Sequence, residues 1–170
     1  DRHCNRWAIT IGRRLILFKR MKQKLSLKAR ALNFLSKREY SARELTLKLQ
    51  PYATENDDIE AIISWLQEKN FLSEERFVES YVRQRISRYG NQKILYDLQN
   101  YHIASPIIEE ITETLKETEL ARALALWKRR FGKPPQTIQE KAKQIRFLQY
   151  RGFPLNIIQK IIKGDFPDYD

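Results

Sequence analysis

One cysteine, two histidines, five glycines and six prolines among 170 residues leave several architectures without material. The single thiol, Cys4, cannot close a disulfide within the chain, a usage that fits a reducing, cytosolic compartment. With His3 and His102 as the only imidazoles, a zinc site built from Cys and His lacks ligands, so no metal is expected. The glycines and prolines lie mostly at segment edges and are too sparse for the hairpin turns of an all-β fold. No apolar run approaches the roughly 18 residues of a membrane span, and the stretch 7–18 is interrupted by Arg13 and Arg14. A glycine-rich phosphate loop, a Ser-His-Asp set and metal-ligand spacings are missing as well. Asp57 and Asp58 are adjacent, diverge on a helix, and suit first-turn capping better than acid–base work. Binding without catalysis, cofactor or small-molecule substrate is the expectation.

What is present is apolar mass and positive charge. Apolar residues make up 42% of the chain, with three Trp, eight Tyr and eight Phe, enough for buried cores. The net charge of +11 and pI near 9.8 point to a polyanionic partner. Residues 1–20 carry six basic side chains against one acidic, leaving +6 to the remainder. Met21, the only methionine, is the expected natural start; the alternative is a basic amphipathic arm with Trp7, Ile9, Ile11, Leu15, Leu17 and Phe18 as its apolar side.

From Leu27 onward apolar residues recur at helical spacing between polar caps, and nine helices are predicted. Ser26 caps the first, 27–37. Ser41 with Glu44 has capping-box spacing for the second, and Thr54 with Asp57 starts the third, which Asn70 closes in the left-handed conformation. Ser73 starts a fourth that runs through Ile86 to a break at Gly90, and Ile94, Leu95 and Leu98 mark the fifth. Ser105 followed by Pro106 reads as the cap of a sixth, and a seventh with Leu120, Leu124, Trp127 and Phe131 stops at Gly132. Thr137 with Glu140 opens the eighth, ending at Gly152, and 154–163 forms the ninth.

Leu49-Gln50, Leu98-Gln99 and Leu148-Gln149 recur at intervals of 49 and 50 residues. The register extends further: Tyr40 aligns with Tyr89, Leu45 with Ile94, Ile103 with Phe153, and Ile107, Ile108 and Ile111 with Ile157, Ile158 and Ile161. The prediction is an all-α, elongated tandem array of three divergent, helix-turn-helix-like three-helix repeats. An extension (1–20) is followed by repeats at 21–70, 71–116 and 117–164, then an acidic tail (165–170). Gly90 and Gly152 are expected at turns needing permissive backbone, and Phe153, Trp65 and Trp127 in cores.

Charge is segmented. Residues 51–80 hold eight acidic side chains against two basic, and 103–120 five against one. Between these blocks stand Arg83, Arg85, Arg88 and Lys93, with Asp97 the one acid; 121–151 carries nine basic residues against Glu140. A positive stripe follows. Its candidate binding residues are Arg83, Arg85, Arg88 and Lys93 in the middle repeat, with Arg85 and Arg88 spaced to share a helix face. In the third they are Arg129, Arg130, Lys141, Lys143, Arg146 and Arg151. For Arg129 and Arg130 the favourable helix C-terminus is a sufficient structural reason on its own, and for Lys143 and Arg146 a solvated face over Ile138, Ala142 and Ile145.

The segments 29–49 (ARALNFLSKREYSARELTLKL), 70–98 (NFLSEERFVESYVRQRISRYGNQKILYDL) and 141–158 (KAKQIRFLQYRGFPLNII) resemble the RecX family, regulators of the bacterial recombinase RecA. The Arg88-Tyr89-Gly90 turn and the run from Arg146 to Phe153 stand in the family's order and spacing, and the similarity covers about 27–163. A monomer is expected, and the resemblance implies tandem three-helix repeats and a protein lying in the groove of the RecA filament on single-stranded DNA. There it would lower ATP hydrolysis, strand exchange and repressor cleavage, with no cofactor of its own. Two other readings are a helix-turn-helix transcription factor, which needs a base-reading helix and usually a dimer, though nothing suggests dimeric half-sites, and a general single-strand binder, which needs exposed aromatics along the stripe, whereas the aromatics here read as core.

Overall fold

The computed structural model describes residues 25–165. The expectations about His3, Cys4, the start at Met21, the apolar arm and all but the first residue of the acidic tail fall outside that range. Eight α-helices follow one another: α1 (Leu27–Leu35), α2 (Ala42–Leu49), α3 (Ile59–Glu68), α4 (Glu74–Arg85), α5 (Asn91–Gln99), α6 (Ser105–Arg130), α7 (Ile138–Tyr150) and α8 (Leu155–Lys163). A single 3₁₀ turn, Gln50–Tyr52, holds Pro51 after α2, and no strand occurs among the described residues.

The side chains that start these helices are largely the ones their chemistry marks. The hydroxyls of Ser26, Ser41, Ser73 and Thr137 accept from the amides of Ala29, Glu44, Arg76 and Glu140, each satisfying a first-turn N–H. Asn70 turns left-handed at φ 56°. Two starts differ from expectation. Thr54 and Asp57 tie off a turn of their own, the Asp57 carboxylate accepting from both the amide and hydroxyl of Thr54, which holds its pKa below the usual value. The neighbouring Asp58 caps α3 instead, accepting from Ala61 N. Ser105 is already inside α6 with Pro106, and Ala104 occupies the cap position without a side-chain bond.

The larger departure is that the predicted sixth and seventh helices are one helix of 26 residues. Nothing between Ile107 and Arg130 breaks a helix; Thr112 and Thr114 merely bond back to the carbonyls of Ile108 and Glu110. The repeat boundary is written instead in the facing of the apolar residues. Ile107, Ile108, Ile111 and Leu115 pack in one core, while Leu120, Ala123, Leu124 and Trp127 pack in the next. At roughly 100° per residue these two sets point about 150° apart around the axis. One rod thus closes two units from opposite sides.

Three separate cores result. The first gathers Leu27, Ala31, Tyr40, Leu45, Leu49, Ile63, Leu66 and Leu72. A second is built on Phe77, Val78, Tyr81, Val82, Ile94, Leu98 and Leu115, and the third on Ala123, Leu124, Leu126, Trp127, Leu148, Phe153, Ile158 and Ile161. The repeat register is therefore a packing register. Leu49, Leu98 and Leu148 are each fully buried on the second helix of their unit, as are Leu45 and Ile94. At the position matching these last two, unit 3 places Gln144, which is buried because it accepts from Trp127 Nε1 at 2.7 Å and donates to the Lys133 carbonyl. Unit 1 is α1–α3, unit 2 is α4, α5 and the first half of α6, and unit 3 is the second half of α6 with α7 and α8.

Units 2 and 3 meet backbone to backbone. Gly90, the cap of α5, donates to the Arg151 carbonyl at 2.8 Å, and Gln92 donates to the Gly152 carbonyl at 3.2 Å, so the end of α7 caps the start of α5. Gly90 has an ordinary φ of −80°; its need for glycine is steric, since a Cβ would sit 2.3 Å from the Gly152 oxygen. Gly152 does adopt a left-handed φ of 82°, and its Cβ would meet Lys93 Cβ and N at 2.5 Å. Glu119 completes the seam by accepting from Asn91 N at 2.8 Å. Burial raises its carboxyl pKa against that donated bond. Arg122 donates to the carbonyls of Ile86, Tyr89 and Leu115 and to Asn91 Oδ1, and burial lowers its pKa.

Candidate nucleoprotein-binding surface

The third unit concentrates the charge. Residues 117–164 hold eleven basic side chains against three acidic, whereas 71–116 hold six against seven and 25–70 seven against seven. Within unit 3 the end of α6 and the end of α7 converge. Arg129, Arg130 and Arg151, with Leu126 and Phe147, line an open cleft of about 400 Å³. The Arg151 guanidinium stacks 4.6 Å over the Phe147 ring, and Phe147 meets Phe131 edge-on at 5.2 Å, so the cleft floor is aromatic. Arg151 also donates to the Arg88 carbonyl at 3.1 Å, which seats it on the unit 2–unit 3 seam.

Next to it, Lys133 and Lys143 flank a smaller cavity of about 150 Å³ with Phe131, Glu140 and Gln144. Lys141, Lys143 and Arg146 are all exposed on α7, and Lys143, Arg146 and Tyr150 fall on one helical side. Of the apolar residues on this helix, Ile138 is 84% exposed and Ala142 is exposed, whereas Ile145 is half-buried against the third core.

In unit 2 the candidates divide. Arg83 is exposed on α4. Arg85 is half-buried, its guanidinium 4.2 Å over the Tyr81 ring and its pKa raised, burial being outweighed by the bond with Tyr81 and the charge of Asp97. Lys93 is committed to Asp97 at 2.7 Å, which raises its pKa. Arg88 lies past the end of α4, in the turn before Gly90, so it does not share a helical face with Arg85. The structure therefore brings Arg129, Arg130 and Arg151 together and joins them to Arg88 through the seam. Arg85 and Lys93 instead share a cluster with Tyr81 and Asp97, whose single carboxylate offsets one of the two cations.

That cluster has a measurable signature. Burial pushes the Tyr81 phenol from 10.0 up to about 12, with its bond to Asp97 adding to the rise. A raised pKa contributes stability that is complete below pH 10 and is lost as pH climbs toward about 12. Lys93 adds a loss of the same sign. Tyr81→Phe is expected to flatten the alkaline fall in the urea midpoint across this window; a slope equal to wild type would show that Tyr81 ionises freely in the folded chain.

Two features of the surface escaped sequence reasoning. Tyr96 and Tyr150 are 63% and 88% exposed, and Lys93 Nζ lies 5.8 Å above the Tyr96 ring, so not every aromatic is core. Glu119 and Arg122 act by joining units, for which the only sequence signal is a charged pair at i, i+3 on a face that should bury apolar residues.

Three consecutive helical units with separate cores, and a cationic cleft seated at the last joint, define an all-α tandem-repeat protein. The models of the RecX first, second and third three-helix domains match residues 28–66, 73–111 and 117–162 in order. This chain belongs to the RecX family. It is 47% identical over 146 residues to the regulatory protein RecX of Herbaspirillum seropedicae, covering 86% of this chain and 95% of that one. It is also 46% identical over 143 residues to that of Ralstonia nicotianae, covering 84% and 90%. The crystal structure of RecX from Lactobacillus salivarius superposes with a TM-score of 0.67 at 23% identity over 82% of this chain and 94% of that one, a likeness of fold. The chain is thus a regulatory protein of RecX type, and among its described residues no helix is long and apolar enough to cross a membrane.

Proposed function

We propose that this protein regulates RecA by binding, as a monomer without catalytic activity, in the groove of the RecA filament on single-stranded DNA. Bridging successive protomers there slows their conformational cycle, lowering ATP hydrolysis, strand exchange and repressor cleavage in the bacterial cytoplasm. The observation that carries this reading is the cleft of Arg129, Arg130 and Arg151 at the cation-rich end of a row of repeated units. A repeated body suits a repeated lattice, and clustered guanidinium groups suit its anionic surface.

The exposed Tyr96 and Tyr150, each on a helix that also carries lysine, favour a second reading: a general single-strand binder that stacks bases. Fluorescence anisotropy with labelled single-stranded DNA, duplex DNA, and the RecA–ATP filament on the same oligonucleotide separates the two. Filament regulation predicts at least tenfold tighter binding to the filament than to bare single strand at equal salt. Equal affinity for bare strand and filament favours the stacking reading, and a preference for one duplex sequence contradicts both.

A further inference from the structure

The two joints between units are built differently. Units 2 and 3 share the continuous helix α6, and their loops are fused by the Gly90–Gly152 approach, two backbone hydrogen bonds and the buried Glu119–Asn91 and Arg122 contacts. Between units 1 and 2 no helix is shared: α3 ends at Glu68 and α4 begins at Glu74. The principal helix pairs all lie within a unit, α6 counting in both of those it closes; none links unit 1 to unit 2.

What does cross this joint is side chain. Arg76 on α4 donates through Nε to Glu39 of unit 1 at 3.0 Å, and through its two terminal nitrogens to the Asn70 side chain and the carbonyls of Asn70 and Phe71. Arg43 on α2 reaches the Asn100 carbonyl at 3.2 Å and the His102 ring. Those contacts occupy the same repeat positions as the glycine seam, since Arg43 matches Gln92 and His102 matches Gly152. The backbone clasp of the second joint is thus replaced at the first by an arginine reaching across, in exposed surroundings. An open cleft of about 300 Å³ lies between the two bodies, with Arg38, Glu39 and Glu44 on one wall and residues of α4 on the other. On that wall Arg85 Nε is buried with no hydrogen-bond partner among the described residues, although the same guanidinium engages Tyr81.

We propose that the chain is an articulated pair of bodies: unit 1, whose core includes Leu72, pivots where Leu72 meets Ser73, the cap of α4, on a rigid body formed by units 2 and 3, with Arg76 as the latch. The cleft beside Arg85 opens and closes with this motion. Exposed and part-buried side-chain contacts exchange with water at lower cost than the seam, because separating units 2 and 3 would bend a continuous helix and uncap α5. The consequence is that unit 1 adjusts its angle to a partner while the cationic cleft keeps a fixed geometry.

Pulsed dipolar spectroscopy on the full chain tests this, with Cys4→Ser as background and spin labels on cysteines placed at exposed helical positions. The pair Ser64→Cys with Gln99→Cys spans the first joint, and Gln99→Cys with Gln159→Cys spans the second. The expected result is a distance distribution at least twofold broader across the first joint, which Arg76→Ala broadens again while leaving the second pair unchanged. Equal widths for the two pairs in the unaltered background would overturn the proposal. So would a first-joint distribution indifferent to Arg76→Ala.

Discussion

Gly152→Ala is expected to cost about 2–5 kcal/mol, the largest stability loss from adding a single methyl group to this chain. Two effects combine. The left-handed φ of 82° disfavours any Cβ by roughly 1–2 kcal/mol. The clash with the Lys93 backbone and Cβ at 2.5 Å adds a further 1–3 kcal/mol or so, because neither loop can retreat without losing the hydrogen bonds that cap α5. Gly164→Ala provides the control: its φ of 76° is as unfavourable, but nothing lies within 4 Å of the added carbon. Urea unfolding should therefore show a small shift for Gly164→Ala and a much larger one for Gly152→Ala. Gly90→Ala should fall between them, since its φ is ordinary and only the contact with the Gly152–Phe153 backbone opposes it. Equal shifts for Gly152→Ala and Gly164→Ala would mean that the seam between units 2 and 3 is not tight.

Reversing the cleft is expected to have the largest functional effect. Replacing Arg129, Arg130 and Arg151 by Glu changes the local charge by six units in a cleft shared with Phe147. Each truncated charge pair at a desolvated interface is worth about 2 kcal/mol or more, so filament affinity should fall by at least two orders of magnitude. A single Arg83→Glu change, on an exposed residue of α4 outside the cleft, should alter affinity only a few-fold. Arg151 also holds the Arg88 carbonyl, so circular dichroism and the urea midpoint of the variant must be compared with wild type. The double variant Arg129→Glu and Arg130→Glu leaves that bond intact and should retain most of the loss.

Much of this architecture is legible in the residues because caps and repeats are local signals. Ser41, Ser73 and Thr137 act where their spacing places them, and the thrice-repeated Leu-Gln marks three fully buried leucines. The continuity of α6 is not local. An apolar stripe that changes sides by about half a turn reads as two helices, although the backbone runs straight through. Gly90 was expected at a strained turn, and its actual requirement, the approach of Gly152 from another unit, can be known only once the units are packed.

The binding surface shows the same division. Summed charge locates the cationic blocks, and unit 3 carries most of the excess. Which cations are free is a question of partners: Asp97 engages Lys93, Tyr81 engages Arg85, and only the fold brings Arg129 and Arg130 beside Arg151. The exposure of Tyr96 and Tyr150 was hidden for a like reason, since a tyrosine in a helical pattern reads as core until its neighbours are placed.

The measurement that bears most directly on the account is ATP hydrolysis by RecA on single-stranded DNA as this protein is added below the RecA concentration. Hydrolysis should fall at substoichiometric amounts of the wild-type chain and should be restored to the uninhibited rate by the folded Arg129, Arg130 and Arg151 charge-reversal variant. Undiminished hydrolysis with the wild-type protein, or equal inhibition by that variant, would contradict it.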